Sequence, residues 1–489
     1  MVDVANGVAV SPSVDEKLSQ YVQGTNKSGE VTELNHMYIG DDLAEKYHTI
    51  SFQDTLYVYD PVEQIYIQSS QQIEKEVREI AAELQYTGSL AKAISETMKY
   101  VKYKHVEHTY PFNHANFLLP VKNGILQFNL SDNSIELLPH DPKYRFTFKL
   151  PIEYNKDANP AGISKIVSAW VDLEDVDLLY QIPAQSILQM MLDNSYKKNY
   201  ISHGEPHAGK TSYLKLLEKF FGKDNLCHVS LHQIGTDRFC SGNLENKMVN
   251  IYDDLSDIPL ENVGEFKNLT GNTSHKIESK NIQAYDGRIY AVHIFACNKP
   301  PSVPERVLYD VAFWERFEII KFPYYFNVDP FFYELNYTDE NLSAFLNIVL
   351  NHVSRIIRER KLIINRDAEE VMERWNELSD PLVQFIKENC TQIKNASQTN
   401  MFDKDAFYAA YLSFCGEKSV NPKKIAPTIN AFGRALQPHG FLIWETTHRV
   451  GTKKEHVKCY RGSWVWNDGQ HLMAPGITQA KIESPVSPL

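Results

Sequence analysis

The chain has 489 residues, of which 43% are hydrophobic, 12% aromatic and 23% charged, with a formal net charge of −12. Its length has room for about three domains, and its composition is that of an ordinary globular protein. The acidic balance excludes wholesale coating of nucleic acid, the six scattered cysteines show no metal-ligand pairing, and neither a signal peptide nor a long apolar span is evident.

Residues 1–35, rich in Ser, Gly, Asn and Val, read as a flexible arm. Thr55 to Asp60 and Gln64 to Ile67 alternate across Asp60-Pro61, as a hairpin does. Helical spacing recurs from Gln71 to Leu84 and from Ser89 to Lys102. Asn116 to Phe128 reads as strand, Asn123-Gly124 turn, strand. A polar connector extends from Pro151 to Pro160. Helices between Ile166 and Met191 then lead into a strand that feeds the most informative stretch of the chain.

That stretch is Gly204-Glu205-Pro206-His207-Ala208-Gly209-Lys210-Thr211, continued by Ser212, and it fits the pattern G-x-x-x-x-G-K-[ST]. Two glycines let the backbone curl so that N–H groups face inward and cradle phosphate oxygens. A helix from Ser212 would present its positive end to the same anion. Lys210 would reach the β- and γ-phosphates of ATP, and the Thr211 hydroxyl would ligate Mg²⁺. The bland alternative is a chance glycine-lysine turn.

Lys247 to Tyr252 is a short apolar strand ending in Asp253 and Asp254. Beside a phosphate loop, the first carboxylate can hold Mg²⁺ and the second can orient or deprotonate water. Alone, the pair would be an Asp-rich turn. A third strand, Tyr290 to Cys297, ends at Asn298, placed to bond a γ-phosphate or the lytic water, since ligands gather at the carboxyl ends of strands in open α/β sheets. Arg316 could complete a site in a neighbouring subunit. Its ordinary alternative is a surface salt bridge with Glu315 or Glu318.

Beyond Asn341 the chain reads as an amphipathic helix with a basic end, to Lys361, and then further helix from Arg366 to Ile393. Asp405 to Phe414, Asn421 to Gln437, and the alternating runs at 440–444 and 457–466 give helix, helix, hairpin, which resembles a winged helix. Residues 403–468 carry ten Lys/Arg against six Asp/Glu, a basic end on an acidic chain. Lys423, Lys424 and Arg434 on the second helix, with Arg449, Lys453 and Lys454 on the wing, are therefore candidates for duplex DNA. A protein-docking winged helix is the alternative.

Taken in order, GEPHAGKTS (204–212), NIYDD (250–254), LTGNTSHKIESK (269–280), HIFACNKPP (293–301) and FWERFEIIKFP (313–323) resemble a superfamily 3 helicase of the phage, plasmid and poxvirus primase-helicase type. NGIL (123–126) and KLPIEY (149–154) extend the resemblance into the family's N-terminal region. It implies an α/β fold: a P-loop, AAA+-like helicase core with an N-terminal α+β helicase-associated region and a C-terminal winged helix. The implied boundaries are an arm (1–35), the associated region (36–165), the core (166–335), a helical linker (336–398), the winged helix (399–472) and a tail (473–489).

By the same resemblance Lys210 and Thr211 form the first nucleotide motif and Asp253 and Asp254 the second. Asn298 is the γ-phosphate sensor, and Arg316 acts in trans. A channel hairpin would grip one DNA strand through Lys280, with Lys276, His275 and Lys267 nearby, unless these form only a solvated charged turn. ATP and Mg²⁺ are the implied cofactors. Single-stranded and duplex DNA, a homo-hexameric ring and a separate primase or polymerase are the implied partners, with no membrane and a cytoplasmic location. About 50 residues precede the recognisable part, too few for a primase domain at usual sizes, so no primer synthesis is expected. An origin-binding initiator using ATP as an assembly switch, or a DNA-remodelling or packaging ATPase, remains open.

Overall fold

The computed structural model describes residues 14–113, 116–192, 196–271, 273–278, 280, 284–393, 399–417, 426–450 and 453–467. It is a mixed α/β protein whose central feature is a five-stranded parallel sheet. In chain order the strands are β1 (Asn199–His203), β2 (Leu226–Cys227), β3 (Val249–Tyr252), β4 (Val292–Cys297) and β5 (Phe317–Lys321). Across the sheet they run β2-β3-β4-β1-β5. β1 therefore lies between β4 and β5, with Ile201 opposite Phe295 on one side and Ile319 on the other.

Parallel strands covered on both faces are mainly apolar, and every residue of β4, His293 included, is buried. On one face Tyr200, Ile294 and Ile320 pack with Leu217 of helix α2 (Lys210–Phe221) and with Val349 of the helix Asp339–Glu359. Helix α1 (Val176–Leu192), which precedes β1, is almost wholly buried, as an all-round apolar helix should be. Its inward glutamines are satisfied: Gln185 donates to the Lys198 carbonyl at 2.8 Å and accepts from the Tyr200 hydroxyl at 2.8 Å. On the other face Ile201, Phe295 and Ile319 meet Val371 and Trp375 of the helix Ala368–Ser379.

The N-terminal part corrects the sequence reading. Residues 1–13 lie outside the described residues, but residues 14–35 are folded and do not form a flexible arm. Val14–Gln20 is helical, and Val22–Thr25 pairs with Val31–Leu34. Tyr21 and Leu34 are buried in the cluster built on Ile39 and Val77, and the Tyr21 hydroxyl donates to Asp42 at 2.7 Å. Those apolar anchors sit at irregular spacing among mostly polar residues, so no periodicity announced them. The expected hairpin is present as Thr55–Asp60 with Ile65–Gln68, and the expected helices as Gln71–Glu83 and Leu90–Lys104.

At the C-terminal end, the helix Pro381–Asn389 precedes the strand Asn400–Asp403, and two more helices come after it, Lys404–Glu417 and Ile429–Leu436. A long antiparallel pair, Leu442–Val450 with Lys453–Gly462, completes a three-stranded sheet. Phe385, Phe407, Phe432 and Tyr460 form its core. The strands Asn400–Asp403 and Cys390–Gln392, the latter paired with Trp464–Trp466, are too short to be read from alternation.

Candidate active site

β1 ends at His203, and the chain turns through residues 204–209 into α2. The turn requires its glycines. A Cβ on Gly204 would lie 2.5 Å from the Phe322 carbonyl oxygen, and one on Gly209, at φ +93°, would lie 2.5 Å from the Trp170 ring. His207 also takes a left-handed conformation, φ +65°, so the loop curls back on itself before the helix starts. Glu205, Pro206 and His207 are exposed, the last two at the cavity edge, whereas Ala208 is buried and Ser212 is half-buried in the first turn of α2.

Lys210 is 8% exposed. Its ammonium donates to the carbonyls of Gly204 (2.5 Å) and Glu205 (3.0 Å) and to Asn298 Oδ1 (2.9 Å). Burial lowers its pKa below the usual lysine value, which leaves the charge in need of an anion. The Thr211 hydroxyl donates to Asp253 Oδ2 at 2.8 Å. Asp253 and Asp254 emerge exposed from the end of β3, with Asp254 at φ +55°, and the Leu255 N–H ties that end to the Ala296 carbonyl of β4 at 2.7 Å. The structure thus brings together Lys210, Thr211, Asp253, Asp254 and Asn298, all at the carboxyl ends of neighbouring parallel strands.

They line one cavity of about 1040 Å³. The rest of its lining was not foreseen from the sequence: Ile166 and Trp170 from before α1, and Phe326, Pro330 and Tyr333 from beyond β5. The Phe326 N–H donates to the His207 carbonyl at 2.9 Å and so straps this segment to the loop. Cys297 also lines the cavity, but burial pushes its thiol up to about 12, so it is no nucleophile at neutral pH.

A magnesium nucleotide fits this donor set. Among the described residues no cluster of three or more His, Cys, Asp or Glu could hold a metal by itself. Thr211 and Asp253 supply one hydroxyl and one carboxylate, and Mg²⁺ commonly completes such a shell with water and substrate phosphates.

Arg316 stands elsewhere. Its carbonyl accepts from the Asn199 N–H at 2.7 Å, which puts it at the start of β1, the end of the sheet opposite the loop. The guanidinium donates to the Thr270 hydroxyl (3.0 Å), to the Lys267 carbonyl (3.1 Å) and to the Ala312 carbonyl. The salt bridge with Glu318 weighed against it is not formed, because Glu318 is held instead by Arg366 (3.0 Å) and Lys198 (3.8 Å).

His275–Ile277 and Tyr285–Gly287 form an antiparallel hairpin, with Lys276 exposed on its first strand and Lys280 exposed in the turn beyond. It is anchored at its turn end: the Glu278 N–H donates to the Ser241 hydroxyl at 3.0 Å, and the Tyr285 hydroxyl donates to Glu245. Lys267 belongs to the helix Gly264–Leu269, off the hairpin, and its ammonium is paired with Asp310 at 2.5 Å. Lys423 and Lys424 lie outside the described residues. Arg449 stands on the strand Leu442–Val450, opposite Lys454 in register.

Two family models match the chain. One, described as D5 N terminal like, covers residues 23–174, and the other, a family of unknown function (DUF5906), covers residues 202–310. No curated protein matches it. Among solved structures, the A-form apo structure of the NrS-1 C-terminal region is 12% identical, with 88% of this chain and 99% of that chain covered at a TM-score of 0.44. An apo structure of the NrS-1 C-terminal region (305–718) gives 12%, 88%, 99% and 0.43. Among the described residues no helix is long and apolar enough to cross a membrane. The first family match spans the NGIL and KLPIEY segments and agrees with the phage primase-helicase resemblance carried by them.

Proposed function

We propose that this chain is an ATP-driven DNA helicase of superfamily 3, acting in the replication of a virus or plasmid-like mobile element. The observation that carries the reading is the pairing of Lys210 with Asn298 and of Thr211 with Asp253 at the carboxyl ends of β1, β3 and β4. The order β2-β3-β4-β1-β5, with the loop directly after β1, supports a P-loop, AAA+-like core. The helix-strand-helix-helix-hairpin order of residues 381–462 supports a winged helix.

In this reading the loop N–H groups and Lys210 bind the phosphates, and Asn298 exchanges its lysine contact for the γ-phosphate or the attacking water. Asp254 orients that water, while Thr211 and Asp253 hold Mg²⁺, which when bound offsets charge on the phosphoryl oxygens. Arg316 serves the site of an adjacent copy, since its own lies at the far end of the sheet, and this favours a ring, which the family resemblance makes a hexamer. The hairpin carrying Lys276 and Lys280 tracks the sugar-phosphate backbone, a sequence-blind contact suited to a motor.

The deciding experiment is strand displacement on forked duplexes with a 3′ or a 5′ tail, run beside ATP hydrolysis. Hydrolysis coupled to displacement from one tail polarity is expected. Hydrolysis with no displacement would favour the remodelling ATPase, and nucleotide-dependent assembly without turnover would favour the initiator.

A further inference from the structure

We propose that the outer edge of the C-terminal sheet, the strand Leu442–Val450, takes up an extended acidic segment of a protein partner by strand addition. This strand is last in a sheet ordered Asn400–Asp403, Lys453–Gly462, Leu442–Val450, and among the described residues it is paired along one side only. Its other side therefore offers a row of backbone donors and acceptors.

Sheet proteins blunt such edges with short strands, bulges, proline or charge. None of these devices guards the start of this one. The register runs unbroken from Leu442 opposite Arg461 to Val450 opposite Lys453. The first three residues are Leu442, Ile443 and Trp444, exposed by 57%, 44% and 43%. Three consecutive exposed apolar side chains on an open edge combine main-chain pairing with side-chain recognition, as strand-addition sites do.

The side chains around this edge define the occupant. The Arg461 guanidinium lies 4.7 Å from the centre of the Trp444 ring and is itself held by the Thr399 hydroxyl at 3.0 Å. An ordered tryptophan-arginine pair is the side-chain type that dominates protein interfaces. The hairpin from 442 to 462 also carries Lys or Arg at 449, 453, 454, 458 and 461 against Glu at 445 and 455 alone, a basic island in a chain of net charge −12. An acidic strand complements it. Nucleic acid would use the cations and the indole but has no use for an open backbone edge or for Leu442 and Ile443.

The test uses the full chain and a labelled short peptide of alternating valine and glutamate, monitored by fluorescence anisotropy. Saturable binding is expected, about tenfold weaker when alternate peptide nitrogens are methylated, and weakened by a similar factor in Trp444→Ala and in Leu442→Lys. Amide exchange should slow over residues 442–447 when the peptide is added. No binding, or binding indifferent to N-methylation, would overturn strand addition. A thymidine oligonucleotide that binds in a Trp444-dependent way while the peptide does not would overturn it too, and make this face a nucleic-acid contact instead.

Discussion

Lys210 Nζ lies 2.9 Å from Asn298 Oδ1, although the two residues are 88 apart in the chain. Adjacent parallel strands, β1 and β4, bring them together. The ammonium thus rests on three neutral oxygens, a set that a phosphate outcompetes because it adds full charge. Lys210→Ala should abolish ATP hydrolysis with the fold retained. Asn298→Ala should lower kcat by about 10²-fold with a much smaller change in KM, since its loss removes a contact made in the transition state. A raised KM with kcat unchanged would make Asn298 a mere binding contact.

Thr211 and Asp253 are joined at 2.8 Å without a cluster of other acids or histidines converging on them among the described residues. Asp253→Asn should raise the Mg²⁺ concentration needed for half-maximal hydrolysis about tenfold or more, and leave nucleotide affinity in excess EDTA nearly unchanged. Titrating magnesium at fixed ATP checks this, and an unaltered requirement would remove Asp253 from the metal shell.

Because Arg316 is at the opposite end of the sheet from its own loop, its effect should appear only between copies. Arg316→Ala should reduce hydrolysis by about 10³-fold. Mixed into wild-type protein, it should depress activity more steeply than dilution does. Strict proportionality to the wild-type fraction would argue that each chain works alone.

Lys280 is exposed beyond a hairpin anchored through Ser241 and Glu245. Lys280→Ala should preserve basal hydrolysis while strand displacement of a fork falls below detection. Unchanged displacement would move the DNA grip elsewhere.

His293 supplies a pH signature. Asn250 donates to its Nδ1 at 3.0 Å, so the buried ring is held neutral, and burial pushes its pKa down to about 3. The unfolded chain binds a proton near pH 6.5 that the folded one refuses. Its contribution is complete above that pH and is lost as the pH falls from about 6.5 toward 3, by about 1.4 kcal/mol per pH unit. Urea midpoints measured from pH 7 to pH 5 should show this slope, and His293→Leu should flatten it by that amount.

Sequence alone revealed whatever acts within a few residues. The glycine spacing of 204–209, the acids after β3 and the amide after β4 each have a local reason to be where they are, and the structure gathers them in one cavity. Long-range packing was not legible. Trp170 precedes the loop and Tyr333 lies beyond β5, and neither sits in a pattern that distinguishes a cavity wall from an ordinary core aromatic. Lys267 looked like part of a basic cluster because it is close in sequence to Lys276. The structure sets it on a separate helix and pairs it with Asp310. The folded segment before residue 35 was missed because Tyr21 and Leu34 are buried by a cluster spread from Ile39 to Val101 and not by a local repeat.

Glu245 accepts from Tyr285 at the turn end of the hairpin, while the next residue, Asn246, accepts from Tyr110 of the N-terminal region at 3.1 Å. The side chains of consecutive residues therefore fasten the hairpin and the N-terminal region to one another. A displacement of the turn that carries Lys280 is thereby passed, through two neighbouring side chains, to Tyr110 and the segment around it.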